Sequence, residues 1–283
     1  MEYRDQRFGE ERALYHLQNA LVENCRFEGE EDGESALKET REVRVSDSDF
    51  LLRYPMWHCE GLLVEDCRME AGCRAPIWYT KNAEFRNVRC VGVKALRECD
   101  DIRLSGGAFL SDEVAWRCRT LTAQGTEFSG PYAFFESRDL TLSGVKHTGK
   151  YSFQYTENVT VSDSVLDTKD AFWHAKNVTV TDSVIKGEYL GWYSENLRLV
   201  RCHIVGTQPL CYCKGLTLED CTMEGCDFSF EFSEVNARVL GHILSVKNPG
   251  SGTVVADSVG EIILEEDTAH PVLGKVILAK EEK

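Results

Sequence analysis

The most regular feature of the chain is an alternation of apolar and polar residues that returns every 19 residues. When the units are aligned on their first apolar residue, eight of the ten steps between successive units are 19 residues long. The units begin at Ala20, Val43, Leu62, Ala83, Ile102, Leu121, Leu140, Val159, Val178, Leu197 and Leu216. A fixed period of about 20 residues is typical of a repeat protein, in which each unit packs on its neighbours.

Each unit predicts three short strands separated by turns. Residues 62–69 and 216–223 show the pattern well, with apolar residues at every second position, then Asp, then a small residue. A period of two predicts a strand, and Asp, Gly or Asn ends it in a turn. A second short strand follows, and a third is predicted at segments such as 171–175 and 190–194. An Asn such as Asn158, Asn177 or Asn196 then turns the chain with a left-handed backbone, and stacked Asn side chains are expected to hydrogen-bond.

These short strands indicate the fold. Three strands in one unit bury no face alone, but stacked coils do, with parallel ladders about 4.8 Å apart. We therefore predict an all-β fold, a parallel β-helix of about twelve 19-residue coils with capped ends, as a single domain over residues 1–283. Residues 1–12 are expected to form an N-terminal cap and 13–235 the regular coils. Residues 236–283 are expected to form irregular coils and a C-terminal cap, with strands at 262–264 and 276–278.

The repeat N-[VL]-x-[VL]-x-[DN]-[SC], found over about residues 13–235, resembles that of the right-handed β-helix superfamily of pectate-lyase-like proteins. The whole chain also resembles a bacterial family of similar length that is catalogued only as a domain of unknown function. The resemblance implies a right-handed coil, and it implies carbohydrate processing along an outer sheet face. The Asn-Thr-Asp, Gly-His-Gly and Arg-x-Lys motifs of polygalacturonases do not occur, and Asp100-Asp101 lies at a turn rather than on a strand.

The third segment of each coil contains the candidate functional residues. Its second and fifth positions are apolar or small and are expected to face the core. Its fourth position holds His, Tyr, Glu and Arg, which face water because burying so many charges is prohibitive. Its third position holds all five tryptophans. Strict alternation places this third position inside, whereas a local bulge places it outside beside the fourth position. Lys38, Arg97 and Gln154 at the third position favour the bulge.

If both positions face outward, aromatic rings lie beside polar groups, an arrangement that suits sugar rings and their hydroxyls. The predicted substrate-binding residues are Trp57, His58, Trp78, Tyr79, Trp116, Tyr155, Trp173, His174, Trp192 and Tyr193. Glu98, Arg117 and Glu136 occupy three successive coils, which puts the two carboxylates about 10 Å apart. That separation is near the upper limit for an inverting glycosidase, so these three are the candidate catalytic residues. The alternatives are a surface ion-pair ladder and tryptophans that stack in the core.

Composition and charge limit which partners, cofactors and cellular compartment are expected for this chain. The chain has 32 Lys and Arg against 47 Asp and Glu, a net charge of −15, which argues against nucleic-acid and anionic-membrane partners. Cysteine and histidine spacings predict no metal site, and we expect no cofactor. The chain has no run of 18 apolar residues and no apolar segment at its start, so we expect a cytoplasmic protein with its twelve cysteines reduced. Cys202 and Cys221 lie close enough to oxidise, and His147 is expected to be a hydrogen-bonded core residue.

Two functional hypotheses follow from the sequence. The first is a carbohydrate-interacting protein, including a divergent glycan-processing enzyme, that uses the outer face of the third strand. The second is a non-catalytic β-helix scaffold that binds another protein. In the second case the chain is also expected to form homo-oligomers through the aromatic face or through the ends of the helix.

Overall fold

The structure is a computed structural model that describes residues 1–30 and 34–279. The described residues form strands and turns, and the predicted all-β parallel β-helix is confirmed, with about 14 coils instead of twelve. Residues 31–33, and residues 280–283 at the end of the predicted C-terminal cap, lie outside the described residues. Within the described ranges, no helix is long and apolar enough to cross a membrane. The chain divides into two compact units, Met1–Lys146 and His147–Lys283.

In the first unit, long strands stack in parallel and in register, as Val43 on Leu62 shows. The long strands are Glu2–Arg4, Gln18–Glu23, Arg41–Ser46, Glu60–Glu65, Lys81–Arg86, Asp100–Ser105, Arg119–Gln124 and Arg138–Ser143. Short strands follow the turn of each coil: Arg7–Phe8, Arg26–Phe27, Asp49–Phe50, Arg68–Met69, Arg89–Cys90, Ala108–Leu110 and Glu127–Gly130. A separate sheet of third strands comprises Met56–Trp57, Ile77–Trp78, Ala95–Arg97, Glu113–Trp116 and Tyr132–Ala133.

The second unit repeats the arrangement. Its long strands are Glu157–Ser162, Lys176–Thr181, Glu195–Val200, Leu216–Glu224, Glu234–Lys247, Ser251–Ile263 and Lys275–Leu278. Its short strands are Val165–Lys169, Val184–Lys186 and His203–Val205, and the strand Lys146–Lys150 begins with the last residue of the first unit. Lys275–Leu278 pairs in parallel with residues 253–256, so the strands predicted near the end of the chain extend the β-helix.

Residues 1–8 form a coil of their own rather than a separate cap. Tyr3 pairs with Val22 and Phe8 with Phe27, so apolar residues continue the two inner columns of the coil above. Asp5 turns the chain between the two strands with a φ of 55°, the conformation that the other coils use at their own Asp or Asn. This coil is part of the reason why the structure has more coils than the sequence predicts.

The corner asparagines behave as expected. Asn158, Asn177 and Asn196 have φ values of 57°, 54° and 55°. The amide of Asn177 donates to Asn158 Oδ1 at 3.2 Å, and that of Asn196 donates to Asn177 Oδ1 at 3.0 Å. These bonds connect neighbouring coils at the point where the backbone enters each long strand.

The core contains the predicted columns. His147 is 2% exposed and its Nε2 lies 2.6 Å from Ser152 Oγ, which confirms a hydrogen-bonded core histidine. All twelve cysteines are free and buried. The thiol of Cys221 donates to the carbonyl of Leu199 at 3.3 Å, and the neighbouring thiol of Cys202, together with burial, raises the pKa of Cys221.

The prediction of a strand at 171–175 and at 190–194 is wrong, because both segments are turns. Phe172 and His174 both have left-handed backbones, with φ of 61° and 54°. As a result Phe172 and Ala175 are fully buried, whereas Trp173 is half-buried and His174 is exposed. In this coil the third and fourth positions therefore both face outward, as the bulge alternative predicts, but left-handed residues produce this orientation. Cys211 and Phe230, at the third position of later coils, are buried.

Candidate functional site

In the first unit, the third-position tryptophans stack on each other and hydrogen-bond to the backbone. The rings of Trp57 and Trp78 are 5.2 Å apart and inclined by 3°. The Trp57 indole N–H donates to the carbonyl of Ala75 at 2.7 Å, and that of Trp78 donates to Lys94 at 2.7 Å. Each half-buried indole thus has its polar group satisfied inside the protein, so only part of its apolar surface faces solvent.

Arg97 continues this stack as a cation between two aromatic rings. Its guanidinium carbon lies 5.0 Å from the ring centre of Trp78 and 4.9 Å from that of Trp116. A guanidinium nitrogen of Arg97 is 3.4 Å from Glu113 Oε2, and the Arg97 side chain is only 19% exposed. Trp116 then packs against Phe135 at 5.0 Å. The arginine that the sequence places outside the core is therefore partnered on both faces.

The fourth position of the first unit brings together two of the three candidate catalytic residues. Arg117 Nε lies 2.6 Å from Glu136 Oε2, with the two side chains 50% and 40% exposed. The hydrogen bond and the charge of Glu136 raise the pKa of Arg117, and the charge of Glu98 contributes less. Glu98 makes no ion pair within the part of the chain that the structure describes. A catalytic role for Glu98, Arg117 and Glu136 remains a prediction.

His58 and Tyr79, also at the fourth position, stack with their ring centres 4.7 Å apart. His58 further lines a pocket of about 340 Å³ with His16, Glu39 and Arg41. Across residues 1–30 and 34–279, no three His, Cys, Asp or Glu side chains are grouped as metal ligands. This pocket is lined by two imidazole rings, a carboxylate and a guanidinium group.

In the second unit, Trp173 and Trp192 repeat the stacking of the first unit at 5.6 Å. Their indole N–H groups donate to the carbonyls of Tyr189 at 2.6 Å and Gln208 at 2.8 Å. These tryptophans support the more exposed rings beside them, since Trp192 also contacts Tyr193 edge-on at 6.2 Å.

The fourth position of the second unit forms an exposed stack of four rings, which we call the Tyr–His ladder. Tyr155 lies 4.9 Å from His174, His174 lies 5.0 Å from Tyr193, and Tyr193 lies 4.9 Å from Tyr212. The rings are inclined by only 6°, 7° and 16° to their neighbours. Tyr155 and Tyr193 are 52% and 43% exposed. Because the faces cover each other, the ladder presents ring edges and hydroxyl groups to solvent.

The stack opens at Phe232 and His270. Phe232 is inclined by 47° to Tyr212, and His270 is inclined by 60° to Phe232, with ring centres 5.7 Å and 5.0 Å apart. Beside these rings lies a cavity of about 500 Å³, which we call the terminal pocket. Its apolar lining comes from Tyr193, Tyr212, Phe232, His270, Pro271 and Leu273. Inclined rings leave part of their faces uncovered, so this pocket offers apolar ring surface to a ligand.

Two opposite charges line the same pocket. Lys214 and Glu234 follow Lys176 and Glu195 in an alternating row, and Lys176 pairs with Glu195 at 3.4 Å. Neither Lys214 nor Glu234 makes an ion pair with any of the described residues. The pKa of Tyr212 is raised, first by burial and then by the charge of Glu231, so its phenol stays protonated at neutral pH. The pocket therefore has a cation, a carboxylate and a phenol available for hydrogen bonds.

Sequence reasoning places Tyr155, His174 and Tyr193 on this face but misses three pocket residues. Tyr212 occupies the next fourth position, so the 19-residue step alone identifies it. Phe232 follows after 20 residues, one more than the period. His270 belongs to the irregular segment after the repeat, where periodicity carries no signal.

A family model described as "Protein of unknown function (DUF3737)" matches residues 1–277. The chain belongs to this family. The resemblance to a family of unknown function is thus confirmed. No curated protein matches this chain at a significant level.

Several solved structures show a distant similarity to this member of DUF3737. The mannuronan C-5 epimerase AlgE6 A-module of Azotobacter vinelandii is 13% identical, with a TM-score of 0.42, covering 99% of this chain and 89% of its own. PfbA, a surface adhesin of Streptococcus pneumoniae, is 10% identical, with a TM-score of 0.39, covering 79% and 69%. The catalytic domain of a GH87 alpha-1,3-glucanase is 11% identical, with a TM-score of 0.26, covering 99% and 63%. At these sequence identities and TM-scores, the activities of these proteins are not assigned to this chain.

Proposed function

We propose that this protein binds a carbohydrate on the outer face of the third segment, in the terminal pocket and along the Tyr–His ladder. The observation that carries the proposal is the change in ring packing at the end of the ladder. Along the ladder the rings cover each other, whereas at Phe232 and His270 they are inclined and border a cavity of about 500 Å³. Apolar ring surface beside a few polar groups is the usual composition of a small-ligand site.

The polar groups of the pocket suit hydroxyl groups. A sugar hydroxyl both donates and accepts a hydrogen bond, so one sugar can accept from Lys214 and donate to Glu234. Hydroxyls of Tyr193 and Tyr212 add two further donors, and neither forms a hydrogen bond with the described residues. A purely apolar ligand leaves these groups without partners, at a cost in free energy.

Charge favours a neutral sugar over an acidic one. The chain carries a net charge of −15, and Lys214 is balanced by Glu234 on the wall of the same pocket. A carboxylate or phosphate ligand has to approach against this excess of negative charge. We therefore propose a neutral glycan as the ligand.

Chemical turnover is proposed separately, at Glu98, Arg117 and Glu136. The test is hydrolysis of any bound glycan by wild type and by the Glu98→Gln and Glu136→Gln variants. Product formed by wild type and lost in both variants supports catalysis. Unchanged product formation in the variants contradicts it.

Isothermal titration calorimetry tests the binding proposal. We would titrate neutral hexasaccharides of glucose, mannose, xylose and galactose into wild type, Tyr212→Ala and Tyr15→Ala. Tyr15 is 44% exposed and lies in the first unit, so it is a matched tyrosine outside the pocket. We expect at least one sugar to bind, with a Kd at least tenfold weaker in Tyr212→Ala, which corresponds to about 1.4 kcal/mol. No binding by any sugar, or equal binding by Tyr212→Ala, contradicts the proposal.

A second candidate function, self-association, is favoured by the last described strand. Lys275–Leu278 pairs on one side only within the described ranges, and Ile277 and Leu278 are 49% and 51% exposed. An exposed apolar edge strand is a template for pairing with another chain. Light scattering on wild type and on Ile277→Lys tests it: a concentration-dependent mass that falls in the variant supports self-association, and a constant monomer mass contradicts it.

A further inference from the structure

Residues 264–274 cross the end of the aromatic face as a strap. The strap leaves the strand Ser251–Ile263 and returns to the β-helix at Lys275–Leu278. At its start, the N–H of Glu265 donates to Asn248 Oδ1 at 2.9 Å. At its end, the N–H of Leu273 donates to the carbonyl of Gly250 at 2.9 Å. Both ends of the strap are therefore fixed to the coil that follows Phe232.

The middle of the strap turns back over the aromatic rings. The ring of His270 lies 5.0 Å from that of Phe232 and 6.4 Å from that of Tyr212. His270, Pro271 and Leu273 together form one wall of the terminal pocket. The strap thus stands across the path of any ligand that runs along the rings in the direction of Phe232.

On the opposite side, the Tyr–His ladder continues away from the pocket. Tyr193 borders the pocket, and His174 and Tyr155 follow at intervals of 5.0 Å and 4.9 Å. Tyr155 and Tyr193 are 52% and 43% exposed, so a chain of sugars has a solvent-facing path over the ring edges. The pocket is accordingly walled by the strap on one side and continuous with an exposed surface on the other.

We propose that the terminal pocket binds the end of a linear neutral glycan, and that the following sugars extend along the ladder toward Tyr155. The inference rests on the proposed function and adds to it the position in the glycan that is recognised. An internal sugar needs an exit for the chain on both sides, and the strap wall removes one of them. A terminal sugar needs only one exit.

The Tyr–His ladder also predicts how the affinity for a glycan depends on the number of its sugars. The terminal sugar contacts inclined ring faces and the pair Lys214 and Glu234, whereas later sugars meet only ring edges and phenol groups. Most of the binding free energy is therefore expected from the first sugar or two. Affinity should rise between a monosaccharide and a trisaccharide and change less than threefold beyond it.

The experiment compares a hexasaccharide with its parent polysaccharide, using the same neutral sugars of glucose, mannose, xylose and galactose. Binding is measured by calorimetry at equal mass of sugar and again at equal concentration of chain ends. End recognition predicts equal titrations at equal chain ends, and far fewer binding sites per gram for the polysaccharide. Equal numbers of sites per gram contradict end recognition while leaving carbohydrate binding intact. If no sugar of either length binds, both the inference and the proposed function fail.

Strap variants provide a second measurement. His270→Ala removes the ring that contacts Phe232, and it is expected to increase the number of polysaccharide sites per gram at least threefold. Asp267→Asn changes an exposed strap residue outside the pocket lining and serves as the matched control. Thermal unfolding confirms that both variants fold. Polysaccharide binding that is unchanged in His270→Ala contradicts a wall formed by the strap.

Discussion

Replacing Arg97 by Met tests whether a cation between two indoles stabilises the aromatic face. The guanidinium lies 5.0 Å from the Trp78 ring and 4.9 Å from the Trp116 ring, with the Arg97 side chain only 19% exposed. Met is unbranched and apolar, so it retains much of the packing and removes the charge. The substitution also removes one of the two cations beside Glu113. The other, Lys94, remains 3.7 Å from the carboxylate.

The expected loss of stability in Arg97→Met follows from these contacts. A cation over an aromatic ring contributes about 0.5–1 kcal/mol when exposed and about 2 kcal/mol when desolvated, so two half-buried contacts contribute about 2 kcal/mol. The pair with Glu113 adds about 1 kcal/mol, because Glu113 is 20% exposed and the pair is only partly screened. We expect Arg97→Met to lower the free energy of unfolding by about 2–4 kcal/mol.

Urea denaturation followed by circular dichroism measures this change, with Glu113→Gln and the double variant completing a cycle. In the Arg97→Met background, Glu113→Gln should restore about 1 kcal/mol by removing a poorly paired charge. Arg103→Met is the matched control, because Arg103 is 54% exposed and, among residues 1–30 and 34–279, forms an ion pair with Asp101 alone, at 2.9 Å. A loss below about 0.5 kcal/mol in Arg97→Met, or an equal loss in Arg103→Met, refutes the reasoning.

Three further predictions concern the fold. Hydrogen bonds from Arg68 at 2.7 and 2.9 Å lower the pKa of Asp49. Their contribution to the free energy of unfolding is therefore fully present above the pKa of unfolded Asp, about 3.9, and is lost as the pH falls through the lower pKa of the folded protein. Urea titrations should show a smaller stability difference between wild type and Asp49→Asn at pH 2.5 than at pH 6. Asn177→Ala should destabilise by about 1–3 kcal/mol, and Asn177→Gly by less, because only alanine is strained at a φ of 54°; equal thermal unfolding of the two variants contradicts this. A thiol reagent should modify none of the twelve cysteines rapidly in native protein and all of them in guanidinium, since all are free and buried; fewer than twelve after denaturation reveals a disulfide.

The repeat predicts the inner columns because every coil repeats the same constraint. A position such as Val159 or Val178 faces the core in each long strand, so the pattern is visible many times over. The corner asparagines are equally predictable, because few residue types tolerate a left-handed backbone. Residues 1–8 also obey the pattern, with Tyr3 and Phe8 in the inner columns, but their charged neighbours obscure it.

The candidate site is predicted less completely. Alternation alone assigns one of the third and fourth positions to the core, and left-handed residues such as Phe172 and His174 override that rule. The cation at Arg97 signals an outward position, but its partners come from neighbouring coils. His270 is brought to Phe232 by a segment outside the repeat, so its contact depends on tertiary structure alone.

The near identity of neighbouring coils has a consequence for how the chain finds its register during folding. Residues 158–161 and 177–180 have the same sequence, so a long strand that skips one coil meets almost the same edge. Side-chain size in the core distinguishes the correct neighbour. A Cβ at Gly191 would lie 2.9 Å from Leu210 Cδ2, so Leu210 fits above this coil, whereas Phe172 occupies the same position one coil earlier. The irregular sizes of the core residues thus specify which coil packs on which. Making the repeats more uniform would produce misfolded chains in which a strand pairs with the wrong coil.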